Sequence, residues 1–127
     1  MAGEDFDALG RAVQQQLWGE RVAASDNTTA PFAAVAPDFF PMVREFCFGM
    51  FWSRPGLAVR DRSLITCAML AALGHLEELR AHLAGAISVG LSRDELVEVL
   101  MQVAVYAGVP AAVAALRVAA DVLGTPG

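Results

Sequence analysis

The chain has 127 residues, enough for one domain with its own core and too few for two ordinary ones. Its formal charge is −5 with nine scattered basic residues, which argues against nucleic acid or an anionic membrane surface as a partner. No apolar run reaches the roughly eighteen residues that a bilayer span needs, and the acidic start "MAGEDFDALGR" does not read as a secretory signal. The expected location is cytoplasmic.

Taken in chain order, Phe6, Leu9, Val13 and Leu17 stand at helical spacing and predict a first helix. "AASDNTTAP" reads as a loop by composition. Residues 38–52, rich in Phe, Met and Cys, predict a buried helix with Pro41 in its first turn, and "SRPG" a turn after it. Residues 61–73 carry a helical stripe of Leu64, Ile65, Ala68, Met69, Ala72 and Leu73, stopped by Gly74. Residues 76–89 follow, with Leu76, Leu79, Leu83, Ala86 and Ile87 on the apolar side and Gly90 as the stop. Ser92 and Glu95 have the spacing of a capping box for the next helix, whose expected buried face is Leu96, Val99, Leu100 and Val103. Gly108 and Pro110 break it, and an alanine-rich helix over 111–123 precedes a loose tail at 124–127. Strand patterns are nearly absent. The reading is all-α, about six helices in one domain, and the high apolar content of 56% points to surface covered by other subunits of a homo-oligomer.

The chemistry-bearing candidates concentrate in "GHLEELRAHLAGAISVG". Glu78 and His82 are four apart, so they share a helix face, and a carboxylate beside an imidazole raises its pKa toward the range useful for proton transfer. The plain alternative is an ordinary pair on a surface or subunit interface. His75, near the helix start, is expected to be solvated or at the edge of a site. Two histidines and Glu78 make too sparse a ligand set for a metal site to be expected. Arg60 and Arg62 offer forked donors for a carboxylate, or else a solvated helix terminus. Tyr106 has a phenol that lines a cavity or packs with its hydroxyl satisfied. Trp52 reads as core or interface packing. Cys47 and Cys67 read as small buried hydrophobes in a reducing compartment.

Together, "FWSRPGL", "RSLITCAMLAALG", "EELRAHLAGA" and "EVLMQVAVYAGVPAA" resemble the carboxymuconolactone decarboxylase family, above all its γ-carboxymuconolactone decarboxylase branch, over about residues 50–122. The resemblance implies an all-helical alkylhydroperoxidase-like fold, a trimer or hexamer, and decarboxylation without metal or organic cofactor. It implies His82 and Glu78 as proton donor and orienter, Arg62 and Arg60 as the carboxylate or oxyanion holders, and Tyr106, His75, Trp52, Trp18 and Ser88 around the substrate. The related alkylhydroperoxidases place a Cys-x-x-Cys pair ahead of the matching histidine, where this chain has His75 and Glu78, so their thiol chemistry is not expected. Two further departures stand out. Trp18 lies near the place of an N-terminal histidine of the branch, and Ser88 and Val89 replace an Asn-Asn pair. Both predict a less polar pocket.

Three functions follow as expectations. One is a relative recruited to another pathway, such as natural-product biosynthesis, using the same proton-transfer groups for decarboxylation, elimination, isomerisation or cyclisation. The second is a true 4-carboxymuconolactone decarboxylase of aromatic-acid catabolism. The third is a non-catalytic helical oligomer that binds a small ligand or another protein.

Overall fold

The computed structural model describes residues 3–19 and 31–124, all of them helix, turn or loop. Most of the predicted 23–31 loop and of the predicted loose tail lies outside these residues. Among the described residues there is no strand, as the missing period-2 pattern predicts. The elements are α1 (Phe6–Trp18), α2 (Pro31–Val35), α3 (Phe39–Val43), a π-helical segment π1 (Arg44–Trp52), α4 (Val59–Leu73), α5 (Leu76–Ser88), α6 (Arg93–Ala107) and α7 (Val109–Leu123). The chain forms two compact units, Met1–Val59 and Arg60–Gly127.

In the first unit α1 lies against π1. Asp5 caps α1, its carboxylate accepting from the Ala8 amide at 3.0 Å. Val13, Leu17 and Phe48 are buried and form the core of this unit. The approach is close because two glycines permit it: a Cβ on Gly10 would collide with the Arg44 carbonyl, and one on Gly49 with the Phe6 carbonyl. The wide i→i+5 turn of π1 brings Gly49 to the same face as Arg44 and Phe48, and all three are buried. An α-helix would carry Gly49 well away from Arg44. The buried Arg44 guanidinium donates to Asp7 at 2.7 Å, and Arg11 holds the same carboxylate at 2.9 Å. Together they keep Asp7 below the usual carboxylate range, with Arg44 the larger influence.

Residues 38–52 correct the sequence expectation. They are helical and Pro41 does fall in the first turn, but the segment is not buried throughout. Phe39, Met42, Phe46, Met50 and Phe51 are exposed. Only one face meets α1, and a segment apolar on every side gives no sequence signal of which face that is.

In the second unit α7 lies against both α5 and α6. The core is Cys67 and Ala71 from α4, Leu79, Leu83 and Ala86 from α5, Leu96, Leu100 and Val103 from α6, and Ala112, Ala115, Val118 and Ala119 from α7. The predicted stops are all present. Gly74 and Gly90 take positive φ, with the paired hydrogen bonds His75→Leu70 and Gly74→Ala71, and Leu91→Ala86 and Gly90→Ile87, of Schellman ends. The Ser92–Glu95 capping box closes in both directions at 3.0 Å. Pro110 sits in the first turn of α7.

The stripe expected on α4 is not its inner face. Ser63, Cys67 and Ala71 are buried, while Ile65, Met69, Ala72 and Leu73 are exposed. Beyond Arg62 this helix is uncharged all round, so apolarity carries no direction. Small side chains let a helix approach its neighbours closely, and here they take the inside. Ile87 is likewise exposed rather than buried.

Candidate functional site

The Gly74 stop places His75 as the N-cap residue of α5, exposed and making no side-chain cap. Glu77 and Glu78 occupy the first turn, where the helix dipole favours negative charge. One turn on comes His82, between the fully buried Leu79 and Leu83. The ring is therefore drawn toward the core, with its Nδ1 atom buried. Burial pushes the imidazole down to about 4, and the charge of Glu78 pulls it upward only in part.

This corrects the expectation of an imidazole raised toward neutrality. The carboxylate has the predicted sign of effect, but loss of water around the ring outweighs it. At neutral pH His82 is an uncharged imidazole.

The two arginines of α4 differ. Arg60 is engaged by the Glu95 carboxylate and lies 3.8 Å from Asp61, so its charge is already opposed. Glu95 thereby serves the cap of α6 and the Arg60 guanidinium together. Its carboxyl is held below the ordinary range by the Ser92 amide first and by Arg60 next. Arg62 is half-buried, with Nε inside. Its neighbour Ser63 is fully buried, and its hydroxyl has no hydrogen-bond partner among the described residues. Sequence reasoning missed Ser63, because a single serine between Arg62 and an apolar run carries no signal of direction.

The remaining predicted residues fall elsewhere. Ser88 ends α5, exposed, its hydroxyl bonded to the Ala84 carbonyl at 3.4 Å. Tyr106 is 86% exposed, not packed, and borders a groove of about 420 Å³ between α4 and α6. That groove is lined by Leu64, Ala68, Met69, Ala72, Val99, Val103 and Ala107, with Gln102 and Tyr106 as its polar side chains, and His82 is not among them. Trp18 and Trp52 belong to the first unit. Both rings lie 5.6 Å from Phe48, Trp18 edge-on and Trp52 tilted. Trp52 also borders a cleft of about 340 Å³ between α1 and residues 52–59, which includes Gln16, Ser53 and Arg54.

Neither cysteine is prepared as a nucleophile. Burial pushes the Cys67 thiol up to about 12 and raises that of the half-buried Cys47. Among the described residues no three His, Cys, Asp or Glu side chains gather as a metal site. No helix among them is long and apolar enough to cross a membrane.

A half-buried imidazole one turn from a carboxylate on α5 has the groups that proton transfer needs. The stretch that carries it is also the stretch shared with known proteins. Over 85 residues, 67% of this chain, it is 45% identical to the 4-carboxymuconolactone decarboxylase of Acinetobacter baylyi. The match spans 63% of the length of that protein. Over 113 residues it is 30% identical to the nitrosuccinic acid decarboxylase of Metarhizium robertsii, covering 89% of this chain and 77% of the other. An uncharacterized 15.0 kDa protein of Paracoccus denitrificans is 32% identical over 125 residues, 91% of this chain and 93% of its own length. The profile of the Carboxymuconolactone decarboxylase family matches residues 37–121, and the chain belongs to that family.

Proposed function

We propose that this protein is a decarboxylase-like enzyme acting on a small carboxylic acid whose neighbouring group accepts an electron pair. The supporting observation is the Glu78–His82 pair on α5, inside the segment shared with two relatives named as decarboxylases. A lactone acid and a nitro acid have one chemical feature in common. When the C–CO2 bond breaks, its electron pair passes into a conjugated carbonyl or a nitro group, giving an enolate-like or nitronate anion. The substrate itself supplies the electron sink, so the reaction proceeds without a metal or an organic cofactor. What remains for the protein is to hold the anionic groups, stabilise the developing charge and return a proton to carbon.

The low pKa of His82 suits this cycle. The resting ring is neutral, so it does not repel a proton or attract stray anions. An anionic substrate beside it favours the charged form and raises its pKa, as Glu78 already does in part. The ring takes up a proton, CO2 departs, and the imidazolium gives that proton to the carbanion. Burial makes the imidazolium a stronger acid than in water, which favours that transfer. Arg62, half-buried at the start of α4, would hold a carboxylate or the developing oxyanion. Arg60, engaged by Glu95, would instead support that end of the site.

The test supplies 4-carboxymuconolactone and nitrosuccinic acid separately to purified protein and follows CO2 release and product by NMR. Turnover of at least one acid is expected, with kcat/KM falling by about 100-fold or more in His82→Ala at unchanged helicity. In the wild type, the alkaline limb of kcat should lie at higher pH than that of kcat/KM, because bound substrate raises the ring's pKa. Folded protein that turns over neither acid would count against the reading. Undiminished turnover in His82→Ala would remove His82 from it.

A further inference from the structure

The described serines differ in how their hydroxyls are satisfied. Ser53 and Ser88 each donate to the carbonyl four residues back, that of Gly49 and of Ala84. Ser92 accepts from the Glu95 amide in its capping box. Ser63 has the Val59 carbonyl at the same spacing and does not bond it. Its hydroxyl is fully buried and has no hydrogen-bond partner among the described residues. Buried polar groups are nearly always paired, and an unpaired one destabilises the fold. A physical reason to keep such a hydroxyl is a partner that forms in another state of the protein.

The surroundings of Ser63 point to that partner. Ser63, Cys67 and Ala71 make one buried ridge of α4, at successive four-residue steps. Cys67 and Ala71 pack in one core with Leu79 and Leu83, the residues that flank His82 on α5. The Nδ1 atom of His82 is buried in the same unit. A charged imidazole carries a hydrogen on both nitrogens, so its buried Nδ1 needs an acceptor. Among the described residues, Ser63 is the one polar side chain of this unit that is buried. Neighbouring charged and titratable groups do not serve. Glu78 on α5 is exposed, Arg62 on α4 only donates, and burial keeps the Cys67 thiol protonated up to about 12. The buried faces of α6 and α7 present only Leu, Val and Ala.

We propose that Ser63 is a positioning residue for the reaction, its hydroxyl accepting the Nδ1–H of the charged His82 ring. The inference rests on the proton-transfer role proposed above for His82. Held at Nδ1, the ring keeps Nε2 to exchange the proton with substrate. Hydrogen bonds from charged donors are the stronger ones, so this contact favours the charged ring over the neutral one.

Ser63→Ala tests the proposal, with both histidines titrated by NMR in the absence of substrate. The result therefore stands apart from whether either acid is turned over. In the variant the His82 midpoint is expected about one pH unit lower than in the wild type, a roughly tenfold larger ionisation constant, with the exposed His75 unchanged. At pH 7, where the ring is neutral, the variant should be at least as stable to heat as the wild type, because an unpaired hydroxyl has been removed. With an acid that the wild type decarboxylates, kcat should fall about tenfold while KM changes little. An equal His82 midpoint in the two proteins overturns the proposal. So does a variant clearly less stable at pH 7, which would mean that the hydroxyl is already paired in the resting state.

Discussion

In the Met1–Val59 unit, α1 and π1 approach until a glycine on each faces the backbone of the other, at Gly10 with Arg44 and Gly49 with Phe6. In the Arg60–Gly127 unit, the helices meet through layers of side chains, with Leu79, Leu83, Leu96 and Leu100 fully buried. The two arrangements respond differently to change. A side-chain layer can relax around a lost or added methyl group. A backbone contact at a glycine has no side chain to move, so any Cβ there must displace a helix. The first arrangement is thus intolerant at two positions and permissive around them, and the second spreads its sensitivity over many.

The largest expected effect probes that intolerance. Gly49→Ala places a methyl group against the Phe6 carbonyl and should cost about 3 kcal/mol or more, at the upper end for overpacking. Chemical denaturation monitored through Trp18 and Trp52, which flank Phe48 in this unit, is the measurement. A loss below about 1 kcal/mol would mean that the close approach does not hold the unit together.

The next effect belongs to the second unit and follows from pH. His82 has a folded pKa of about 4 against 6.5 for the free side chain. The unfolded chain therefore binds a proton first as the pH falls, and stability is lost between about pH 6.5 and pH 4. Below pH 4 both states are protonated and the loss is complete. The difference corresponds to about 3 kcal/mol. Thermal denaturation across that range should show this slope in the wild type and a flatter one in His82→Gln. Equal slopes would mean that the ring is solvated.

The smallest effect concerns a cap. Ser92→Ala removes one half of the box that starts α6 and should cost about 1 kcal/mol. Because Glu95 also engages Arg60, the variant should loosen that ion pair as well. A double-mutant cycle with Arg60→Met reads this coupling, and strict additivity would separate the cap from the pair.

The comparison also explains which parts were legible in the amino-acid sequence. The second unit announces itself through Gly74, Gly90, Ser92 with Glu95, and Pro110, each of which acts within a few residues of its own position. Local rules therefore place its helix ends well. The first unit depends on Gly10 and Gly49 meeting elements far off in the chain, and nothing periodic marks them. The π-helical register of residues 44–52 is equally silent, since it exists to bring Gly49 round beside Arg44.

The candidate site divides in the same way. The spacing of Glu78 and His82 fixes that they share a face of one helix, and both lie within residues 37–121, the span that matches the family. Burial decided the charge state of His82, against the direction that its neighbouring carboxylate alone would give. Tertiary contacts decided that Arg60 meets Glu95 while Arg62 lies partly inside, although both precede the same apolar run. They also decided that α4 buries Ser63, Cys67 and Ala71 and turns Met69 and Leu73 outward. The sequence by itself determined that the chain is helical, where the helices of the second unit stop and which family the chain belongs to. Only the tertiary structure decided which sides face inward, because a helix apolar on every side is oriented by the shape of what it meets rather than by its own pattern.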